Sequence, residues 1–377
     1  MEKVEKKVDV IPGLEILREA ERQFTICNAC RYCEGLCAAF QALEKHRDFD
    51  RGTVFYLANL CHDCRACFSA CMFTAPHEFA INIPLVMSEA RLTSYEQWSW
   101  PGLLGKSFRD RRLAIGLSVS VVLFVVAAAL VWNGPNILAT HVAPGSFYEV
   151  IPYLAMVVPA VILCFYGAAV WLRGSFQFWS ETGKGEESEI DLKALAEAVG
   201  AALSLRYLGG GGPGCSYPEE RPSMARRTYH SLVFWGFLAD FVSTTLAFLF
   251  QDVFHRLPPY PLVSAPVLFG ALGGIAIVIG AGGLASLKLK SDRGQAAKQA
   301  YIMDSEFLVI LGLTALTGLL TLGFRATPAL GILLAVHLGL VAALFLTAPY
   351  GKFIHAVYRS LALIKFYAEQ NRPHQGA

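Results

Sequence analysis

The chain has 377 residues, of which 54% are hydrophobic and 16% are charged, whereas roughly a quarter of the residues in a soluble protein carry charge. This composition indicates a membrane protein and disfavours a soluble Rossmann enzyme, a TIM barrel or a disordered chain. The 32 basic and 30 acidic residues nearly cancel, so the net charge gives no reason to expect nucleic acid as a partner. The ten cysteines do not suggest a disulfide scaffold, which is typical of short secreted chains.

Residues 1–108 are polar, and we assign them to a cytoplasmic domain. The first 112 residues hold 15 basic and 15 acidic side chains, after which the chain becomes strongly apolar. We assign residues 109–377 to an integral membrane domain, because they contain six apolar runs long enough to cross a hydrocarbon core of about 30 Å. The predicted spans are residues 113–132, 150–172, 231–251, 265–287, 307–324 and 329–348.

The distribution of basic residues predicts the orientation in the membrane. With the N-terminus inside, 30 basic residues lie on the inner side, and only Arg256 and Arg325 lie outside. By the positive-inside rule, both termini are cytoplasmic, and we expect a multi-pass protein of a bacterial inner membrane. A cytoplasmic insert, residues 173–228, contains a predicted helix after Asp191. Its glycine-rich segment, residues 209–218, lacks the Gly-Lys-Ser/Thr of a phosphate loop, so we interpret it as a turn with unusual backbone angles.

Eight cysteines form two copies of the pattern C-x2-C-x2-C-x3-C, offset by 34 residues. This spacing predicts two [4Fe-4S] clusters, because three thiolates surround one cluster and the fourth reaches the other cluster in two-cluster ferredoxins. Zinc is disfavoured because its Cys or His pairs are usually separated by a longer insertion, and disulfides are disfavoured in a reducing cytoplasm. The flanking sequences favour helices, so we expect an all-α, ferredoxin-like domain. The expected ligand sets are Cys27, Cys30 and Cys33 with Cys71, and Cys61, Cys64 and Cys67 with Cys37; an uncrossed arrangement stays open.

Histidines near membrane spans are candidate functional residues, because polar groups in lipid are costly. His230 opens the third span and His355 follows the sixth, so both lie at the cytoplasmic level on different helices. We predict that they are the axial ligands of one b-type haem. His337 lies inside the sixth span, 18 residues before His355, and the two share a helix face if the helix continues past Pro349. Three roles stay open for His337: ligating a second haem with His255, hydrogen-bonding a quinone, or contacting another helix.

Asp240 lies near the middle of the third span, and the neighbouring spans contain no Lys or Arg. We therefore expect it to be protonated. It is a candidate proton relay to reduced quinone, and the alternative is a neutral acid hydrogen-bonded to Thr or Ser. The glycines in the spans, among them Gly273 and Gly280, are predicted to allow close helix packing.

Taken together, these motifs resemble the tricarballylate-utilisation protein B family, also called citrate-utilisation protein B. The likeness covers nearly the whole chain and includes CNACRYCEGLC, CHDCRACFSAC followed by APHEFAINIP, RYLGGGGPGCSYP, ARRTYH, TPALGILLAVHLGL and LTAPYGKFIH. It carries the cofactor-binding roles over to the eight cysteines and to His230, His337 and His355. One departure is Gln251, where the family pattern leads us to expect a histidine, and this weakens the case for a second haem.

The resemblance implies a membrane-bound electron shuttle with two [4Fe-4S] clusters and haem. Such a protein reoxidises the reduced flavin of an FAD-dependent dehydrogenase acting on tricarballylate and passes the electrons to the quinone pool. The carbon chemistry then belongs to the dehydrogenase, and we assign no catalytic residues to this chain. An alternative is an iron-sulfur and haem subunit of a quinol-linked reductase of the heterodisulfide or nitrate type. A redox sensor is the least favoured function.

Overall fold

The computed structural model describes residues 14–183, 191–210 and 214–372. Over these residues the chain is helical, and its only β-type pairing is a single bridge between Cys215 and Ser223. Six helices are long and apolar enough to cross a membrane. The all-α prediction is therefore confirmed over these residues, and the six candidate membrane helices equal in number the six predicted spans.

The N-terminal part of the chain consists of helices joined by short connections. Two of these helices begin at side-chain caps, because the side chains of Asp50 and Asn82 accept hydrogen bonds from backbone N–H groups in the first turn. The helices are α1 (Leu14–Cys30), α2 (Ala38–Leu43), α3 (Arg51–Leu60), α4 (Ala66–Ser69), α5 (Ile83–Trp98) and α6 (Gly102–Arg109).

The second part contains the membrane helices, and several of them extend beyond the apolar runs into polar sequence. The predicted helix of the insert is confirmed, and the Asp191 side chain caps it by accepting a hydrogen bond from the N–H of Ala194. The helices are α7 (Arg111–Asn133), α8 (Phe147–Val150), α9 (Tyr153–Thr182), α10 (Leu192–Leu203), α11 (Ala225–Phe248), α12 (Ala265–Lys290), α13 (Lys298–Gly323), α14 (Leu330–Thr347) and α15 (His355–Gln370).

Helices α11 and α12 pack closely because glycines face the opposing backbone. A Cβ atom at Gly273 would lie 2.7 Å from the carbonyl oxygen of Gly236, and one at Gly280 would lie 2.6 Å from that of Tyr229. Small residues at such positions let transmembrane helices approach each other. The predicted packing role of these two glycines is therefore confirmed.

The apolar core of the N-terminal part also includes the C-terminal helix α15. Trp98 of α5 packs edge-on against Phe178 of α9 and Tyr358 of α15, with ring centroids 5.5 and 4.9 Å away. Tyr358 and Phe366 are fully buried in this core. As a result, α15 ties the end of the chain to the domain that carries the eight cysteines.

The sixth span does not continue into α15. Helix α14 ends at Thr347, and a short 3₁₀ turn (Lys352–Ile354) precedes α15. Pro349 lacks the N–H that an α-helix needs, and it disfavours helical geometry in the residue before it. The condition for His337 and His355 to share a helix face is therefore not met.

Candidate cofactor-binding sites

Four cysteines line a cavity beside the end of α1, and we call them the outer cysteine set: Cys27, Cys30, Cys33 and Cys71. The first three come from the first cysteine run, and Cys71 comes from the second. Burial, followed by the neighbouring Cys33, Cys71 and Cys30, raises the pKa of the Cys27 thiol to about 12. Cys37 is not among the cavity residues, so the first run does not supply all four thiols.

The remaining four thiols form the inner cysteine set: Cys37, Cys61, Cys64 and Cys67. Burial raises the pKa of the Cys37 thiol to about 12, and its strongest charged neighbour is Cys61. Burial, followed by the nearby Cys37 and then Cys61, likewise raises the pKa of the Cys64 thiol well above its usual value. Cys37 therefore lies near the second cysteine run, and the fold groups the thiols in the crossed arrangement.

Two residues between Cys61 and Cys67 have left-handed backbone conformations. Asp63 and Arg65 have positive φ angles of 53° and 61°, a backbone conformation that residues other than glycine rarely adopt. The N–H of Asp63 donates to the Sγ atom of Cys61 at 3.4 Å. Hydrogen bonds to sulfur are among the features that tune the potential of an iron-sulfur cluster.

The thiols do not converge on a point, as the ligands of a single ion do. Among the described residues, no group of three or more His, Cys, Asp or Glu side chains is arranged to hold one metal ion. A zinc ion needs its four ligands at about 2.0–2.3 Å from a common centre. The outer set instead surrounds a cavity, an arrangement that fits a multi-atom cluster better than one ion.

The structure places His230 and His355 face to edge, with ring centroids 6.2 Å apart and ring planes at 87°. Two metal–nitrogen bonds of about 2 Å each, together with two ring radii, span a similar distance. The centroid distance alone is therefore compatible with two histidines that share one metal atom. Helices α11 and α15 supply one histidine each. His355 is the first residue of α15, directly after the 3₁₀ turn that separates α14 from α15.

The hydrogen bond of His355 also suits metal ligation. The Nδ1 of His355 bonds to the carbonyl oxygen of Lys352, which leaves Nε2 available, as is usual for metal-bound histidines. The Nδ1 of His230 is buried and has no hydrogen-bond partner among the described residues. Burial lowers the pKa of His355 well below its usual value, and the charges of Lys352 and Arg359 lower it further, so the ring is neutral, the form that binds iron.

His337 contacts another helix. Its Nδ1 lies 3.1 Å from the carbonyl oxygen of Thr314 and 3.2 Å from the hydroxyl of Thr317, both on α13. Gly318 makes room for the ring, because a Cβ there would lie 3.0 Å from the His337 Cε1. His255 is exposed in the connection that follows α11. The structure therefore does not pair His337 with His255.

Asp240 lies at the contact between α11 and α12. Its Oδ1 is buried and has no hydrogen-bond partner in the part of the chain that the structure describes, and a Cβ at Gly273 would overlap it. Among the described residues, no Thr or Ser hydroxyl donates a hydrogen bond to this oxygen, which was the alternative to a proton relay. The glycine-rich segment has the unusual backbone angles that we expected, with φ of 65° at Gly210 and 137° at Gly214, whereas residues 211–213 lie outside the described residues.

Sequence reasoning missed two arginines next to the histidine pair. Arg226 lies one helical turn before His230, and its Nη1 donates to the carbonyl of Asp63 at 2.6 Å. Arg359 lies one turn after His355, and its Nη2 donates to the carbonyl of Cys61 at 2.9 Å. The signal in the sequence is the four-residue spacing between each arginine and a histidine, which places both on one helix face.

These features define a class: a multi-pass helical membrane protein with a ferredoxin-like cysteine domain. A family model described as "Citrate utilization protein B" matches residues 106–376, and one described as "Citrate utilization protein B Fer4-like domain" matches residues 20–97. The chain belongs to this family. It is 38% identical to the "Citrate utilization protein B" of Escherichia coli over 377 residues, covering 99% of this chain and 96% of that relative. No solved structure matches the chain.

Proposed function

We propose that this protein is a membrane-bound electron carrier in which the outer cysteine set and the inner cysteine set each hold a [4Fe-4S] cluster. The observation that carries the proposal is the grouping of eight thiols into two sets that exchange their fourth members. This exchange matches the ligation of two-cluster ferredoxins. The Fer4-like family match over residues 20–97 supports the same chemistry.

We further propose that His230 and His355 hold one b-type haem. The distance between their ring centroids is compatible with ligation of one iron atom, and the bond of His355 to the Lys352 carbonyl orients its ring. Bound clusters and haem supply one-electron redox chemistry. The inner set lies on the histidine side of the domain, because Arg359 on the histidine helix contacts the Cys61 backbone. The order from the surface is then outer set, inner set and histidine pair.

The proposed electron donor is the reduced flavin of an FAD-dependent dehydrogenase docked at the outer set. Cys30, Tyr32 and Met72 are exposed there, so a partner's cofactor can approach closely. A flavin hydroquinone releases two electrons, and two cluster sites let the chain accept them singly. We propose membrane quinone as the acceptor, with the domain boundary near residue 108, the protein in a bacterial inner membrane and both termini cytoplasmic.

The proposal is tested with anaerobically purified protein reduced by a limiting amount of a reduced viologen and then mixed with a short-chain quinone. We expect reoxidation of the haem absorption bands in step with quinone reduction. The matched control is His230→Ala, which is expected to keep the clusters but to lose the haem bands and to transfer electrons more slowly. A wild-type protein without haem bands, or equal quinone reduction by both proteins, would contradict the proposal.

A further inference from the structure

Three arginines from three different helices converge on the loop that carries Cys61. Arg91 of α5 donates to the carbonyl of Cys61 at 2.7 Å, and Arg359 of α15 donates to the same oxygen at 2.9 Å. Arg226 of α11 donates to the carbonyl of Asp63 at 2.6 Å. The loop is therefore attached to the N-terminal domain, to a membrane helix and to the C-terminal helix at once.

The positive charge of these arginines is only partly balanced, because the nearby carboxylates of Asp63 and Asp304 face other cations as well. In the part of the chain that the structure describes, none of the three has a carboxylate oxygen within 4 Å. The Asp63 carboxylate faces Arg65 at 3.8 Å, and Asp304 is bound by Lys288 and Lys352 at 3.0 and 2.7 Å.

Placing several cations in a protein interior is costly unless an anion compensates them. Arg91 is only 5% exposed, and Arg226 and Arg359 are partly buried. The inner cysteine set is the adjacent group that becomes anionic, because its thiols bind iron as thiolates. The excess of positive charge thus fits a cluster held by the inner set.

Arg226 and Arg359 also connect this loop to the histidine pair. Each lies four residues from one of the two histidines, so a single helical turn of α11 or α15 carries both a contact to the loop and a candidate haem ligand. Movement of the loop relative to the histidines would break two charge-assisted hydrogen bonds.

We propose that Arg226 and Arg359 are positioning residues that hold the inner cysteine set at a fixed distance from the histidine pair and raise the reduction potential of the cluster in that set. This inference rests on the proposed function. With a cluster and a haem bound, the step that they serve would transfer one electron and no proton from the inner cysteine set to the histidine pair, so that the cluster would be oxidised as the haem iron is reduced. Their charge favours the reduced cluster, which carries one more negative charge than the oxidised cluster.

The test is a redox titration of the purified holoprotein, followed by EPR, with iron content measured first. In Arg226→Gln and Arg359→Gln, we expect the midpoint potential of one cluster to shift downward while that of the other stays unchanged. Arg227→Gln is the matched control, because it removes the same charge from the same helix, but its guanidinium contacts the Ser204 carbonyl. We expect this control to leave both potentials unchanged.

Lysine variants separate charge from position. Arg226→Lys and Arg359→Lys keep the charge but not the reach of the guanidinium, so we expect potentials near those of the wild type and slower reduction of haem in stopped-flow optical traces. If a glutamine variant assembles only one cluster, the lysine variants test the proposal instead. Haem reduction at the wild-type rate in both Arg226→Lys and Arg359→Lys would then overturn it.

The outcomes distinguish the two proposals. Wild-type protein without two cluster signals would remove the proposed function itself. Two cluster signals in the wild type, with glutamine variants that shift neither potential or shift both equally, would overturn only the role of Arg226 and Arg359.

Discussion

The crossed grouping of the cysteines can be tested by removing one complete ligand set. Serine at Cys27, Cys30, Cys33 and Cys71 eliminates the outer set and leaves the inner set intact. The outer set lines a cavity and includes the exposed Cys30, whereas the inner set contains the buried Cys64, so the fold is expected to tolerate this change. The iron content is expected to fall from about eight to about four atoms per protein, which is one [4Fe-4S] cluster.

A matched variant with serine at Cys27, Cys30, Cys33 and Cys37 removes the same number of thiols. If the sets are crossed, it deprives the inner set of one ligand and leaves Cys71 without partners. We therefore expect less than one intact cluster. Iron analysis and EPR spin integration after reduction distinguish the two variants. An intact cluster in this second variant and none in the first would show that each run binds its own cluster.

Three further predictions concern the haem, the helix packing and a titrating carboxyl group. His230→Ala and His355→Ala are each expected to reduce haem from about one per protein to nearly none while the cluster EPR signals persist; an unchanged optical spectrum would refute the ligand assignment. Gly273→Val is expected to destabilise the membrane domain by about 1–3 kcal/mol in detergent unfolding, because its Cβ would overlap the facing helix. The control Gly282→Val is expected to have little effect, because a Cβ there meets no atom within 4 Å among the described residues. Equal losses of stability in the two variants would count against this packing. Burial, followed by a neighbouring carboxyl group, raises the pKa of Glu44 from 4.5 to about 7. The stabilisation from its protonated form is therefore complete below about pH 4.5 and is lost as the pH rises through about 7. Glu44→Gln is expected to flatten the pH profile of the thermal midpoint over this range, and an unaltered profile would contradict this role of Glu44.

The membrane helices could be predicted because their signals are local. A run of apolar residues specifies a span without reference to the rest of the fold. The cap at Asp191 likewise marks the start of a helix from its own first turn, whereas the crossed grouping joins cysteines from two separate runs and left an alternative open in the sequence. For the spans and the helix start, nearby residues contain most of the necessary information.

The surroundings of the inner set could not be predicted because they depend on contacts between distant parts of the chain. Arg359 and the Cys61 carbonyl are 298 positions apart, and Arg226 and the Asp63 carbonyl are 163 apart. The packing of α15 in the N-terminal core has no periodic signature that names its partner. Whether the helix continued past Pro349 was also undetermined, because proline disfavours helix interiors but does not exclude a kinked helix.

The central claim is that the eight cysteines of this chain hold two iron-sulfur clusters. It is tested most directly by measuring iron, acid-labile sulfide and zinc in protein purified without oxygen, together with EPR spin integration after reduction. The account predicts about eight iron and eight sulfide per chain, with two reduced cluster spins. Colourless protein from iron-replete cells, or zinc in place of iron, would contradict it.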